Sequence, residues 1–272
     1  MGVYFVFTID GDWDKYFRAE SPIPERLPDA ERLTALIKRE IAAAGAVNGR
    51  FLHFVHSSPV TRDFFLRPEF ISLWRDIVSR GGNVGVHCHE EESGDGREDC
   101  ITPLTRSLRE KGLDPVSYRG GYLSFSREKI PLLEKNGLSL DFSCDPGRFL
   151  KLKGRVISDW RGAPGNFYRL SYEDHRRPGK SMAFEIPLGK AGGGSLYIDI
   201  TSLTGIWKAA RSLAAKGKKE KKDIVVSALS HTYEFSSFFK RLKIKLALAI
   251  CKRYGTFLND KEVMKIIGKQ GS

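Results

Sequence analysis

Val3-Tyr-Phe-Val-Phe-Thr-Ile-Asp10-Gly-Asp12-Trp-Asp14 runs from apolar, aromatic and β-branched side chains straight into an acidic turn. Such a run, without polar alternation, reads as a strand buried on both faces, and that is the mark of a parallel sheet lying between helices. The pattern recurs at Phe51–Val55, Val84–Cys88, Leu138–Phe142, Met182–Leu188, Leu196–Ile200 and Ile224–Leu229. Helical periodicity fills the gaps. Asp29–Gly45 places Leu33, Leu36, Ile37 and Ile41 on one face, and Pro68–Ser79, Ser126–Asn136 and Ser202–Ala215 follow the same spacing. About seven strand–helix units in one chain predict an α/β fold, a closed or distorted (β/α)7 barrel spanning residues 1–272 as a single domain. The lysine-rich Lys216–Lys222 segment is expected to be a solvated loop.

Composition narrows the class. With 272 residues, 41% hydrophobic and 29% charged, the chain has the make-up of a soluble globular protein with a sizeable core. No run approaches the roughly 18 apolar residues of a membrane span, and the N-terminus lacks the features of a signal peptide. A cytoplasmic location is therefore expected. Cys88, Cys100, Cys144 and Cys251 show no CxxC spacing and read as reduced thiols. Charge is unevenly placed: residues 1–200 carry 29 Lys and Arg against 28 Asp and Glu, whereas residues 201–272 carry 16 against 5. That basic C-terminal third suits an anionic partner, either a membrane surface or a phosphorylated substrate, if it is not simply a solvated face. Nucleic acid is the least favoured partner, since no recognition motif accompanies the charge. Leu242–Ile250 alternates lysine with apolar residues, fitting either peripheral membrane contact or a buried helix whose lysines reach solvent.

In parallel barrels the chemistry gathers at the C-terminal ends of the strands. Asp10-Gly-Asp12 follows the first run, His87-Cys-His89-Glu90-Glu91 the third, Arg119-Gly-Gly a short extended segment at Val116–Tyr118, and His231 the last. Each alone has an ordinary reading as a turn, core or surface residue. Together they are a carboxylate-and-imidazole set of the kind that binds a divalent ion, with zinc best suited to mixed Asp and His ligands. His53, His56 and His175 lack acidic neighbours in a matching register and read as structural.

These residues, in this order, resemble the motifs of the polysaccharide deacetylase superfamily, the NodB-homology or carbohydrate esterase family 4 group. Thr8-Ile-Asp10-Gly-Asp12 is similar to its first motif, Gly82-Asn-Val-Gly-Val-His87-Cys-His89-Glu-Glu91 to its second and Tyr118-Arg119-Gly-Gly-Tyr122 to its third. Asp141-Phe-Ser-Cys-Asp-Pro146, Phe184-Glu-Ile-Pro-Leu188 and Ala228-Leu-Ser-His231 fall where later motifs are found, so the likeness covers nearly the whole chain. Two departures stand out. Gly11 separates the usually adjacent aspartates, and a histidine four residues after His87 is replaced by Glu91, leaving His89 or Glu91 as the further ligand. The resemblance implies a barrel of the NodB-homology type and a divalent ion, most readily zinc, held by Asp12, His87 and His89 or Glu91. It implies Asp10 as general base, His231 as general acid and Arg119 as the cation that keeps Asp10 ionised. Asp159-Trp160 is a weak match for a motif that orients the catalytic histidine. The implied activity is hydrolysis of an N-acyl group, acetyl or formyl, from an amino sugar. A cytoplasmic nucleotide- or lipid-linked precursor is expected as the acylated amino-sugar substrate, with peripheral contact at an anionic membrane. The alternative is a degenerate relative that binds a glycan without catalysis.

Overall fold

A computed structural model describes residues 2–14, 29–59, 61, 63–90, 99–152 and 154–268. In chain order the elements are β1 (Val3–Asp10), α1 (Ala30–Ala44), β2 (Phe51–Ser57), α2 (Pro68–Ser79), β3 (Asn83–Cys88), α3 (Ile101–Glu110), β4 (Ser117–Gly120), α4 (Ile130–Lys135) and β5 (Leu140–Asp141). A hairpin of β6 (Phe149–Leu152) and β7 (Arg155–Asp159) follows, then β8 (Tyr168–Arg169), β9 (Phe184–Glu185) and a second hairpin, β10 (Lys190–Ala191) with β11 (Gly194–Ser195). The chain ends with α5 (Leu203–Glu220), β12 (Ile224–His231), α6 (Phe238–Lys252), β13 (Thr256–Phe257) and α7 (Asp260–Gly268). Helix starts follow local chemistry. Asp29 caps α1 by accepting from the Glu31 and Arg32 amides, and Pro68 opens α2 where its missing N–H costs nothing.

The main sheet runs β12-β1-β2-β3-β4-β5-β9-β8, with β13 pairing beside β1. The pairs from β12 to β9 are parallel, and β8 lies antiparallel to β9. The sheet curls until its ends meet. Past β9, the Ser227 amide donates to Pro187 O and the Gly189 amide to Ser227 O, each at 2.9 Å, so β12 touches the chain leaving β9. The result is the distorted barrel expected, sealed on this side by isolated bridges. Phe5, Phe7 and Ile9 face outward to the helices, while Val6, Leu52, Phe54, Leu140, Ile186 and Val225 fill the interior. Val263 and Ile267 of α7 plug the N-terminal end, anchored where Asn83 Nδ2 and Ser117 Oγ donate to Asp260.

Three expectations are corrected. Lys216–Lys222 is not a loop: α5 continues to Glu220 and ends at Lys221 in the left-handed region (φ 52°). Lysine, alanine and glutamate favour helix, and buried Gly217 lets this turn approach Ile224 closely, so the lysines form an exposed helical face. Leu196–Ile200 forms no regular strand, and Met182–Leu188 is strand only at Phe184–Glu185. Pro187 has no amide to extend a ladder, and the β10–β11 hairpin interrupts the return to β12, so this stretch meets β12 through the isolated Leu188–Ser227 and Tyr197–Leu229 bridges.

Candidate metal centre and active site

Strand parity assembles the site. Thr8 and Asp10 point into the barrel from β1. The Gly11 amide then donates to Phe54 O at 3.0 Å, and a Cβ at Gly11 would sit 2.7 Å from that oxygen. Only glycine allows this approach, which preserves the alternation and turns Asp12 inward after Asp10. On β2, His56 falls two residues beyond inward-facing Phe54, whereas His53 faces outward, stacked on Trp74 and bonded to Glu40 at 2.8 Å. His56 and His87 are register partners across β2 and β3, and the His89 amide is held by Ser57 O.

Four buried groups therefore converge: Asp12, His56, His87 and His89, with ligand atoms all within 4.8 Å of one another. Asp12 Oδ1 lies 3.0 Å from His56 Nδ1, 3.4 Å from His87 Nε2 and 3.3 Å from His89 Nε2. His87 Nδ1 lies 3.0 Å from Arg119 O, a carbonyl that can only accept, so Nδ1 carries the proton and Nε2 presents its lone pair to the cluster. That lone pair faces a carboxylate oxygen and, at 3.1 Å, His89 Nε2. Converging acceptors in a buried place require positive charge between them, and one Asp with three His is the donor set of a borderline divalent ion. The residues fit a metal. Burial would raise the Asp12 carboxyl, but His89, His87 and His56 outweigh it and hold the group well below the usual carboxylate range. Burial also lowers His56 to about 4 despite its Asp12 hydrogen bond, keeping the imidazole neutral and able to ligate.

A second constellation adjoins the first. Arg119 is fully buried and donates from Nη1 to Asp10 Oδ1 at 2.6 Å and to Thr8 Oγ1 at 3.0 Å, and from Nε to Phe142 O at 2.9 Å. His231, the register partner of Asp10, places Nε2 3.8 Å from Asp10 Oδ2. Its Nδ1 is 2.5 Å from Asp199 Oδ2, while Ser230 Oγ donates to the other Asp199 oxygen at 2.7 Å. Burial opposes the charged ring, yet the Asp199 carboxylate prevails and raises His231 to about 9. Tyr233 stacks on the ring at 5.0 Å.

Both constellations open into one cavity of about 170 Å³ at the C-terminal mouth of the barrel, bordered by Asp10, Asp12, His89, His231, Tyr122 and Arg148 among others. Its size admits one end of a ligand rather than the whole of a large one. One wall is held under backbone strain: Tyr122 (φ 55°) and Leu123 (φ 59°) occupy the left-handed region just after Arg119-Gly-Gly. Leu123 O is fixed there by Ser158 Oγ and Trp160 Nε1, each donating at 2.9 Å.

Of the residues singled out in the sequence, Asp10, Asp12, His87, His89, Arg119 and His231 come together here. Glu91 lies outside the described residues. Neighbouring Glu90 is ion-paired with Lys129. His56 was read as structural and is corrected: it stands among the four converging donors. Its signal was parity, two residues past Phe54 on the inward face. Asp159 does not orient His231; it pairs with Arg161 and Arg176, and Trp160 braces the Leu123 turn instead. Asp199 holds the histidine, and its signal was an acid inside the apolar run Leu196–Ile200. His175 rests beside Trp160 and Phe125, away from the donors.

This geometry, a curled parallel sheet with acids and imidazoles at its C-terminal mouth, is the NodB-homology fold of polysaccharide deacetylases, and solved structures agree. A protein described as a polysaccharide deacetylase from Mycobacterium smegmatis superposes with a TM-score of 0.63 at 14% identity, over 99% of this chain and 91% of that one. One from Pseudomonas aeruginosa PAO1, similarly described, gives 0.55 at 11% identity over 97% and 90%. The 4-alpha-glucanotransferase of Thermococcus litoralis gives 0.57 at 12% identity over 97% of this chain but 40% of its own. No protein-family model and no curated protein sequence matches the chain. One fold thus carries an acyl-removing and a glucan-transferring description, so the site must argue function.

Proposed function

We propose that this protein is a metal-dependent hydrolase that removes an N-acyl group, acetyl or formyl, from an amino sugar. The observation that carries the reading is the meeting, in one small cavity, of the Asp12–His56–His87–His89 donor set with the Arg119–Asp10 and Asp199–His231 pairs. A divalent ion bound by those four groups, most readily zinc, would supply Lewis acidity and a water of lowered pKa. The remaining work falls to the chain. Asp10, ion-paired with the Arg119 guanidinium, accepts the proton of the attacking water. His231, protonated below pH about 9 and aligned by Asp199, delivers a proton to the departing nitrogen. Tyr122 and Tyr233 border the volume in which the acyl group sits.

Arg148 supports a phosphate-linked sugar as substrate. It borders the same cavity, and its buried Nε has no hydrogen-bond partner among the described residues. An anionic group beyond the sugar would satisfy it. A nucleotide- or lipid-linked precursor at the inner face of the membrane fits both this arginine and the basic C-terminal third.

The test is metal content together with turnover of N-acetylated and N-formylated amino sugars, in the native protein and in Asp10→Asn. One ion per chain is expected in both proteins. Turnover in the variant should fall by about 10²–10⁴-fold, the usual worth of a general base. A protein that takes up no zinc, or a variant as active as the native chain, would refute the reading and leave a glycan-binding protein.

A further inference from the structure

Helix α6 has two apolar faces, and among the described residues only one is covered. Ile244, Ala247, Leu248 and Cys251 are buried in the body of the protein. Phe238, Phe239, Leu242 and Leu246 are 64%, 78%, 44% and 44% exposed. At about 100° per residue these four fall within an arc of roughly 100° opposite the buried side, with Lys245 and Lys252 on one flank and Lys243 on the other. Ile200, 76% exposed, lies near the Lys243 flank, since Lys243 Nζ donates to the neighbouring Asp199 O at 3.0 Å. Scattered exposed apolar residues are ordinary, but a continuous stripe of phenylalanine and leucine marks a contact surface.

Charge selects the occupant. The stripe belongs to the segment that carries 16 Lys and Arg against 5 Asp and Glu. A two-fold pairing of copies through this face would set lysine flank against lysine flank. An anionic bilayer meets both demands, since apolar side chains enter the acyl boundary while lysines reach the headgroups. Among the described residues no helix is long and apolar enough to cross a membrane, so the contact is peripheral. The stripe also has a place relative to the site. Only the turn Thr232–Ser236 and Ser237 lie between His231, which borders the cavity, and Phe238, so α6 starts at the barrel end where the cavity opens.

We propose that the exposed α6 face, centred on Phe239, Leu242 and Leu246 with Ile200 near its Lys243 flank, docks the protein on anionic lipid surfaces with the cavity mouth near the headgroups. Docking stands by itself; the corollary that the substrate is lipid-linked rests on the hydrolase reading.

The experiment is flotation of the 272-residue chain with phosphatidylcholine vesicles, with and without phosphatidylglycerol, at low salt and at about 0.5 M salt, where the Debye length shrinks to a few ångströms. Binding is expected only with the anionic lipid and should weaken with salt. The Phe239→Ser/Leu242→Ser double variant should lose at least roughly tenfold in partitioning, since two apolar side chains no longer enter the bilayer. Because both positions are exposed, its melting temperature and metal content should match the native protein. Lys245→Glu/Lys252→Glu should weaken binding without touching the stripe. Absence of native binding, equal binding by the serine variant, or a native dimer that the serine variant dissolves would each overturn the proposal. Vesicle binding by a metal-free protein would uphold the docking face while removing the hydrolase reading.

Discussion

His231 shows how one neighbour sets a side chain's working range. Burial disfavours its charged form, and the Asp199 carboxylate reverses that, raising the ring from 6.5 to about 9. The raised value means that the folded state binds this proton more tightly than the unfolded chain does. The stabilisation it brings is full below about 6.5 and is lost as pH rises through about 9. Catalysis that needs the protonated ring should fall over the same upper limb. In Asp199→Asn that limb should move down toward the ordinary histidine value, with kcat reduced about 10²-fold at neutral pH. A pH–rate profile reads it, and an unmoved basic limb would show that His231 is not the acid. His56 teaches a complementary point. By sequence it resembled His53, three positions earlier; parity alone sends one imidazole to Glu40 and Trp74 and the other to Asp12.

The secondary-structure elements divide the labour between the two ends of the barrel. Most strand positions, helices α1 and α2, and parts of α4 and α5 were legible, because apolar runs and 3.6-residue periodicity report burial directly. β5 and β9 fell inside the expected runs Leu138–Phe142 and Met182–Leu188 but are shorter, and β8 and the bridges at Leu188 and Tyr197 were not legible, since their pairing is set by the chain they meet across the sheet. α5 overran its expected end because lysines look the same on a helix as in a loop. α7 plugs the end opposite the cavity, with Ile267 only 1% exposed. Ile267→Ala should cost about 2–5 kcal/mol of stability. Activity per folded molecule should be unchanged. Urea denaturation and kcat on the same preparation test the separation; a matching loss of kcat would show that the plug reaches the site.

For the molecule as a whole, the proposed ion ties folding to chemistry. A ligand that binds the native state alone at a hundredfold excess over its Kd stabilises by about 2.7 kcal/mol. In a chain of this size chelation should therefore lower Tm by roughly 5–10 °C and abolish amide hydrolysis. Zinc should restore both. Calorimetry before and after chelation decides it, and an unchanged Tm would remove the resident ion from the scheme. The basic C-terminal third is no appendage. β12 lies in eight-residue register with β1, so this segment closes the barrel, brings His231 to Asp10 and offers the α6 stripe to its surroundings.

From the order of residues alone came the α/β class, the parallel barrel, the Asp10–Asp12, His87–His89, Arg119 and His231 candidates, and the placing of charge. Each is a local pattern or a motif in fixed order, written by burial and backbone chemistry. Folding added what lies across strands: His56 as a fourth donor opposite His87, Asp199 behind His231, Trp160 bracing the strained Leu123 turn, and the second apolar face of α6. These are relations between residues distant in the chain. Strand register and the closing of the sheet set them, and one sequence read along its length carries no record of which distant side chain will stand opposite.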